Sequence, residues 1–341
     1  MRAFTAVVAA MAADLAEASE GATGRPVAVR DDLLTERAKL MGFGPPGAVS
    51  ANGACRMIRA RDGWLAVNLP RESDREAVPA WSGCELDAEP WAAIAETARD
   101  RDAETLVEDA QRLGLPVARV GAIQAATPHA PTIRMAAGGK AHRGPIRVLD
   151  LSNLWAGPLA GALLAEAGAD VLKIESLRRP DTLAQSSPAF FERLNGAKAC
   201  LALDFADPAG LARLADEAAR ADVLVTGARP RAFAPVGLAP ERLFAANPRL
   251  VWVAITGYGW RGPLSHRVAF GDDAAAAGGL VRWTPEGPRF LGDALADPFT
   301  GLAAATGAFR ALARGGGVIV DAAMARTAAG VAAQLAAEVL A

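Results

Sequence analysis

The chain is poor in the side chains that most often do chemistry. It has one tyrosine, three histidines and three cysteines in 341 residues. Cys55, Cys84 and Cys200 form no CxxC pair, so neither a zinc site nor a disulfide framework is suggested. His129, His142 and His266 stand far apart without HExxH spacing, and no structural or catalytic metal is expected. Neither charge dominates: 36 Lys+Arg against 38 Asp+Glu leave a formal net charge of −2. That balance gives no reason to expect nucleic acid or a membrane as partner, so an anionic ligand would need local basic groups and helix N-termini. No apolar run reaches the ~18 residues of a membrane span. Met1–Gly21 is Ala-rich, but Asp14, Glu17 and Glu20 interrupt it, which reads as an amphipathic helix and not as a signal peptide. The expected location is cytoplasmic.

What is present is apolar bulk and order. Hydrophobic residues make up 52% of the chain, and the length suits about two domains of roughly 100–200 residues each. Residues 1–125 read as a small α+β domain. Within it, Cys55–Leu69 reads as a hairpin about an Asp62-Gly63 turn, and Leu115–Val120 as a short strand. Residues 126–145, rich in Gly and Pro with little periodicity, read as a linker. From Ile146 to 341 the pattern is regular: apolar strands at Ile146–Leu151, Asp170–Ile174, Cys200–Leu203, Asp222–Val225 and Leu250–Ile255 alternate with helical stretches. Such alternation predicts an α/β fold, a parallel Rossmann-like sheet with helices on both faces. Ligands of these sheets bind outside the carboxyl ends of the strands, where the loops Ser152–Gly157, Thr226–Pro230 and Thr256–Pro263 should meet. The first loop, Asn153-Leu154-Trp155-Ala156-Gly157-Pro158, has neither the GxGxxG fingerprint nor the Lys of a phosphate-binding loop.

One carboxylate stands out. Asp297, in Phe290–Gly301, precedes Pro298 at the start of a helix expected over Asp297–Leu312. An Asp before a Pro is a favoured N-cap followed by Pro at the first helical position, and on spacing alone capping is the better reading. Asp272 and Asp273 likewise read as caps of the Ala-rich helix that follows them, and Asp293 is a second carboxylate near Asp297 in sequence.

Several segments together resemble the family III CoA-transferases. The resemblance begins at Val148-Leu149-Asp150-Leu151-Ser152 with Ala156-Gly157-Pro158, and continues at Gly168-Ala169-Asp170-Val171-Leu172-Lys173-Ile174-Glu175. Leu194-Asn195, Lys198, Ala202-Leu203-Asp204 and Asp207-Pro208-Ala209-Gly210 follow, then Ala221-Asp222-Val223-Leu224-Val225 with Arg229-Pro230, Asn247-Pro248-Arg249-Leu250 and Thr256-Gly257-Tyr258-Gly259. Ala296-Asp297-Pro298-Phe299-Thr300-Gly301 fits the family's catalytic Asp four residues before a Gly, and Gly315–Asp321 fits the turn and strand after it. Asp62–Val67 and Leu113–Val117 resemble pieces of the family's smaller domain, which there follows the core. Here they precede it, so the chain resembles a circularly permuted member.

The resemblance implies that CoA moves from an acyl-CoA thioester to a carboxylic acid acceptor through an acyl-aspartyl and then an aspartyl-CoA intermediate on Asp297. A carboxylate suits this because it leaves as readily as it attacks. It also implies that Trp155 and Ala156 lie beside the thioester, with Leu203, Asp204, Phe205 and Ala206 near the adenine. Gly227, Ala228 and Arg229 would run along the CoA, and Gly257 and Tyr258 would approach the pantetheine. Ser176 and Pro235 stand where the family often has basic residues, and Arg178, Arg179 and Arg231 are near enough to substitute. No cofactor is held permanently; coenzyme A enters as substrate. Family members are interlocked dimers, which implies a homodimer. The family's racemase branch pairs its Asp with a His, where this chain has Asp272. Acyl-CoA racemisation and a CoA-binding relative without catalysis are therefore the alternatives.

Overall fold

The computed structural model describes residues 2–124 and 127–340; the domain boundary expected between 125 and 126 lies outside them. The strands in chain order are β1 (Cys55–Ala60), β2 (Gly63–Asn68), β3 (Val117–Arg119), β4 (Thr132–Arg134), β5 (Arg147–Leu151) and β6 (Asp170–Ser176). They continue with β7 (Ala199–Leu203), β8 (Val223–Thr226), β9 (Val251–Thr256), β10 (Val281–Thr284), β11 (Gly287–Phe290) and β12 (Val318–Ala323). The chain forms two compact units, each drawn from three segments. One comprises Met1–Leu33, His129–His266 and Pro298–Ala323; the other comprises Leu34–Pro128, Arg267–Asp297 and Met324–Ala341. These units do not follow the contiguous domains read from the sequence. The Arg2–Thr23 helix sorts with the larger sheet, where Phe4 stacks on Phe299 with ring centroids 6.4 Å apart.

The first unit holds a seven-stranded sheet in the order β4-β12-β9-β8-β5-β6-β7. Every neighbouring pair is parallel except β4 with β12. Strands β8 and β9 are buried along their whole length, as parallel strands covered on both faces must be, which is why they read as unbroken apolar runs. On one face Leu149, Leu224, Trp252 and Ile319 pack with Leu214 and Ala218 of the Pro208–Arg220 helix and with Leu243 and Phe244 of the Pro240–Ala246 helix. The Pro208–Arg220 helix starts where Asp207 accepts the Ala209 N–H at 3.1 Å and Pro208 occupies the first turn, a favoured opening. The other face carries the Ala156–Glu166 helix. A Cβ on its Gly161 would come within 2.7 Å of Asp150 Oδ2. Gly301 lets the Ala296–Ala313 helix approach in the same way, since a Cβ there would lie 2.9 Å from Ala156 O. The expected mixed α/β fold with a mostly parallel sheet is what forms.

The second unit is built on the antiparallel sheet β1-β2-β3 and the β10-β11 hairpin. Side chains of a strand alternate between faces. Leu65 and Val67 point into a cluster with Trp81, Ile94, Leu106 and Leu115, whereas Ala66 packs with Cys55, Met57, Ala276 and Phe290. The β1–β2 hairpin pairs Ala60 with Gly63, so its loop is Arg61-Asp62, one residue earlier than read from the sequence. Asp62 Oδ1 accepts the Ala103 N–H at 2.7 Å, and that bond draws Asp62 out of strand pairing.

Two elements were not anticipated. Thr132–Arg134, inside the stretch read as a linker, is the antiparallel edge strand β4, paired with Val318–Val320. The β10–β11 hairpin occupies residues 281–290. Both strands of that hairpin are short, and Pro288 and the left-handed Gly287 (φ 116°) mask a strand pattern.

Candidate active site

The Ala296–Ala313 helix opens one residue before Asp297. Asp297 therefore sits inside the first turn and is not the N-cap that the Asp-Pro pair suggests; its N–H donates to Ala294 O at 2.9 Å. Ala294 has φ 45°, a left-handed conformation that costs a residue with a Cβ. It is fixed there by Asp272, whose Oδ1 accepts the Ala294 N–H at 2.9 Å. Across from this turn, Gly271 begins the Gly271–Ala277 helix. A Cβ on Gly271 would collide with Asp297 Oδ2 and would lie 2.7 Å from Ala294 O. The Asp297 carboxylate thus rests on a bare Cα at the start of one helix while standing in the first turn of another, where backbone N–H dipoles favour negative charge.

Asp297 lies among other acids. Asp272, Asp273 and Asp293 are all buried. Burial is the main force on each. Desolvation, with Asp293 and Asp297 adding repulsion, pushes Asp272 up to about 7. Asp273 rises well above the ordinary carboxylate range by desolvation, against the bond from Asn68. Desolvation also raises Asp293, and Arg37 only partly offsets it, although its Nη1 donates to Asp293 Oδ1 at 2.7 Å. Asn68 Nδ2 donates to Asp273 Oδ1 at 2.8 Å. Asp273 also accepts the Phe270 N–H at 2.9 Å, so it caps the Ala-rich helix as expected. Asp272 does not. It stands one position too early for the reach back to the N-cap that a third-position acid makes, and holds Ala294 instead.

The other expected residues belong to the first unit. Trp155 and Ala156 follow β5, Gly227, Ala228 and Arg229 follow β8, and Gly257 and Tyr258 follow β9, so they gather at the carboxyl ends of neighbouring parallel strands. The first two loops touch: a Cβ on Gly227 would lie 3.5 Å from that of Ser152. Trp155 does not reach into open space. Its side chain is buried and meets Phe190 edge-on with centroids 5.1 Å apart. Tyr258 is buried as well. Leu203 and Phe205 pack against the core of the sheet, and Ala206 N–H bonds Asp204 Oδ1 at 2.9 Å. Arg178 and Asp204 are joined to each other through a two-pronged pair, 2.9 and 3.0 Å. Both are then committed to one another, and the Arg178 hydrogen bond holds the Asp204 carboxyl below its usual range. Arg229 Nη1 donates to His266 O at 3.3 Å.

Beneath the β5 loop lies a buried ionic network. Lys198 Nζ bonds Asp150 Oδ2 at 2.8 Å, with Pro158 O and Asn195 Oδ1 completing its shell. Lys173 Nζ donates to Ser152 O at 2.7 Å and lies 3.6 Å from Asp181 Oδ2. Asp181 Oδ2 in turn accepts the Leu154 N–H at 3.0 Å. Leu154 has φ 68°, so the loop that presents Trp155 is held in a strained turn by paired buried charges. Burial pushes Asp150 up, but Lys198 and Lys173 overcome it and leave the carboxyl below its ordinary range. Lys173, Asp181, Arg37 and Asn68 had no role in the sequence reading. Arg37 and Asp293 are 256 residues apart, a separation at which local pattern carries no signal.

Among the described residues no group of three His, Cys, Asp or Glu is placed to hold a metal ion, and no helix is long and apolar enough to cross a membrane.

Residues 144–341, more than half of the chain, match the model of CoA-transferase family III. The chain belongs to that family. It is 35% identical over 167 residues to the succinyl-CoA:glutarate CoA-transferase of Mus musculus, covering 46% of this chain and 38% of that protein. It is 34% identical over 198 residues to the succinyl-CoA–L-malate CoA-transferase beta subunit of Chloroflexus aurantiacus, covering 52% and 48%. The match thus spans less than half the length of these curated relatives. Among solved structures, a CaiB/BaiF family protein from Brucella suis superposes with a TM-score of 0.53 at 30% identity, over 59% of this chain and 58% of that one.

Proposed function

We propose that this family III protein transfers CoA from an acyl-CoA to a carboxylic acid, with Asp297 as the covalent carrier. An Asp297 oxygen attacks the thioester carbonyl, the C–S bond breaks, and CoA thiolate leaves a mixed anhydride. The thiolate then attacks the Asp297 carbonyl, releasing the donor acid and leaving an aspartyl-CoA thioester. The acceptor carboxylate attacks that thioester and displaces the thiolate, which finally attacks the acceptor acyl carbon and frees Asp297. Bonds balance without a net proton. The observation that carries the reading is the seat of Asp297: the family's catalytic position, in a helix's first turn, against side-chain-free Gly271. The neighbours support it too. Protons in the cluster belong on Asp272 and Asp273, which burial raises, so a negative charge on Asp297 meets less repulsion.

The chain's relatives suggest succinyl-CoA and a dicarboxylic acid as first substrates to try. The carboxyl-end loops bearing Trp155, Ala156, Gly227, Ala228, Arg229, Gly257 and Tyr258 are proposed as the CoA side of the site, in a cytoplasmic, circularly permuted homodimer. Arg178 and Asp204 join this surface only by opening their mutual pair. Incubation with succinyl-CoA and hydroxylamine, followed by peptide mass mapping, tests the central step. A hydroxamate on Asp297, absent from Asp297→Ala, is expected; turnover without any adduct there would sink the covalent route. Asp272, pushed to about 7 beside Asp297, favours one second reading: a two-carboxylate epimerase that moves an α-proton. Wash-in of solvent deuterium at Cα of an acyl-CoA, without transfer, would decide for it.

A further inference from the structure

A cavity in the first unit lies at the other end of the sheet from the carboxyl-end loops. It measures about 290 Å³ and is lined by His129, Thr132, Arg134, Thr306, Arg310 and Arg314, among others, with Gly316 and Val318 marking the amino end of β12. Its wall is one face of the Ala296–Ala313 helix, where Ala303, Thr306, Gly307 and Arg310 recur at helical spacing, with Arg314 just past the helix end. The small residues leave the volume, and the arginines stand at its end. The edge strand β4 contributes Thr132 and Arg134 from the opposite side, two residues apart and therefore on the same face.

The charges around this cavity are not balanced. Asp14 lies 3.4 Å from Arg310 and 3.6 Å from His129, and it is the one carboxylate paired there among the described residues. Arg134 is answered by a carbonyl, Gly316 O at 2.7 Å, and Arg314 forms no ion pair among the described residues. A helix C-terminus welcomes cations and accounts for Arg310 and Arg314 as local partners of its dipole. It does not account for Arg134, which arrives from a different element and faces the same space. Guanidinium groups that converge on a small concave volume fork onto the oxygens of compact anions, and the volume is at the lower bound of ligand pockets.

We propose that this cavity is a binding site for a compact dianion, either inorganic phosphate or a short dicarboxylate, gripped by Arg134 and Arg314 with Arg310 between them. The site stands whether or not Asp297 carries acyl groups, because it shares no residue with the acidic cluster or with the loops at the carboxyl ends. The test uses the full chain, titrated calorimetrically with inorganic phosphate and separately with succinate, both at ionic strength fixed with sodium chloride. Saturable binding of one probe is expected, weakened at least tenfold in Arg314→Gln and in Arg134→Gln; the probe that binds names the source. Arg134→Gln removes the bond to Gly316 O, so Arg314→Gln keeps the test sound even if Arg134→Gln loosens that turn. Failure of both probes to bind saturably overturns the site, and so does binding of equal strength in Arg314→Gln.

Discussion

Two buried groups of charges in this chain are treated in opposite ways. Under the β5 loop, Asp150, Lys198, Lys173 and Asp181 are matched, each charge facing one of opposite sign, and Asp150 stays below its ordinary range. Around Asp297, carboxyls lie close together, Arg37 pairs with Asp293, and burial drives Asp272, Asp273 and Asp293 all up. A matched set makes a rigid support, since pairing answers most of the desolvation. A set whose burial outweighs its partners stores unfavourable charge, which a fold tolerates where it is used. The comparison fits a scaffolding role for the first group and the proposed chemistry for the second.

The sharpest way to break that comparison is to remove the proposed nucleophile. Asp297→Ala should lower the transfer rate by about a thousandfold or more while leaving the urea midpoint unchanged or raised, because one repelling acid is gone. A parallel fall in stability would move Asp297 to the scaffolding side. Next comes Lys198→Met, which strands Asp150 in the interior and should cost about 3–5 kcal/mol in urea unfolding. Adding Asp150→Leu should restore most of the loss; a double variant as unstable as the single one refutes the matched pair.

Asp272→Asn comes third, with a definite pH sign. The folded pKa of about 7 lies above the ordinary 3.8 of an aspartate, so the native chain binds the extra proton between those values. Stability should therefore fall as pH rises from about 4 to about 7 and stay at the lower level above. The Asn variant should flatten that slope, gaining on the order of a few kcal/mol at pH 8 and nothing at pH 4. Equal slopes in parent and variant, from urea melts across that range, would move the titration to another acid. The smallest expected effect is Leu154→Gly. Relief of the left-handed strain and the added chain entropy nearly cancel, within about 1 kcal/mol. A larger loss would mean that the Leu154 side chain, and not the Asp181 bond, holds the turn.

The parallel strands were legible because burial on both faces writes itself as unbroken runs such as Val223–Val225 and Val251–Ile255. The helix over Ala296–Ala313 was legible in the segment around Asp297, though the place of Asp297 inside its first turn was not, since an Asp-Pro pair reads as a cap. The acidic cluster depends on Arg37 and Asn68, brought in from 256 and 205 residues away, and no local periodicity encodes such partners. Trp155 taught a similar lesson. Its position after β5 was correctly read, but the side chain turns to Phe190 because an indole gains more from burial than from solvent.

Gly271 has one last consequence. With the Asp297 carboxylate already against its Cα, there is no depth left for a longer acid. If Asp297 is the carrier proposed above, the site would work as a length gauge that admits a one-methylene side chain. Asp297→Glu should therefore fail as a nucleophile even though its chemistry is the same, because its carboxyl must swing away from the helix start. Any relative that carries a side chain at the position of Gly271 should also have moved its acid elsewhere.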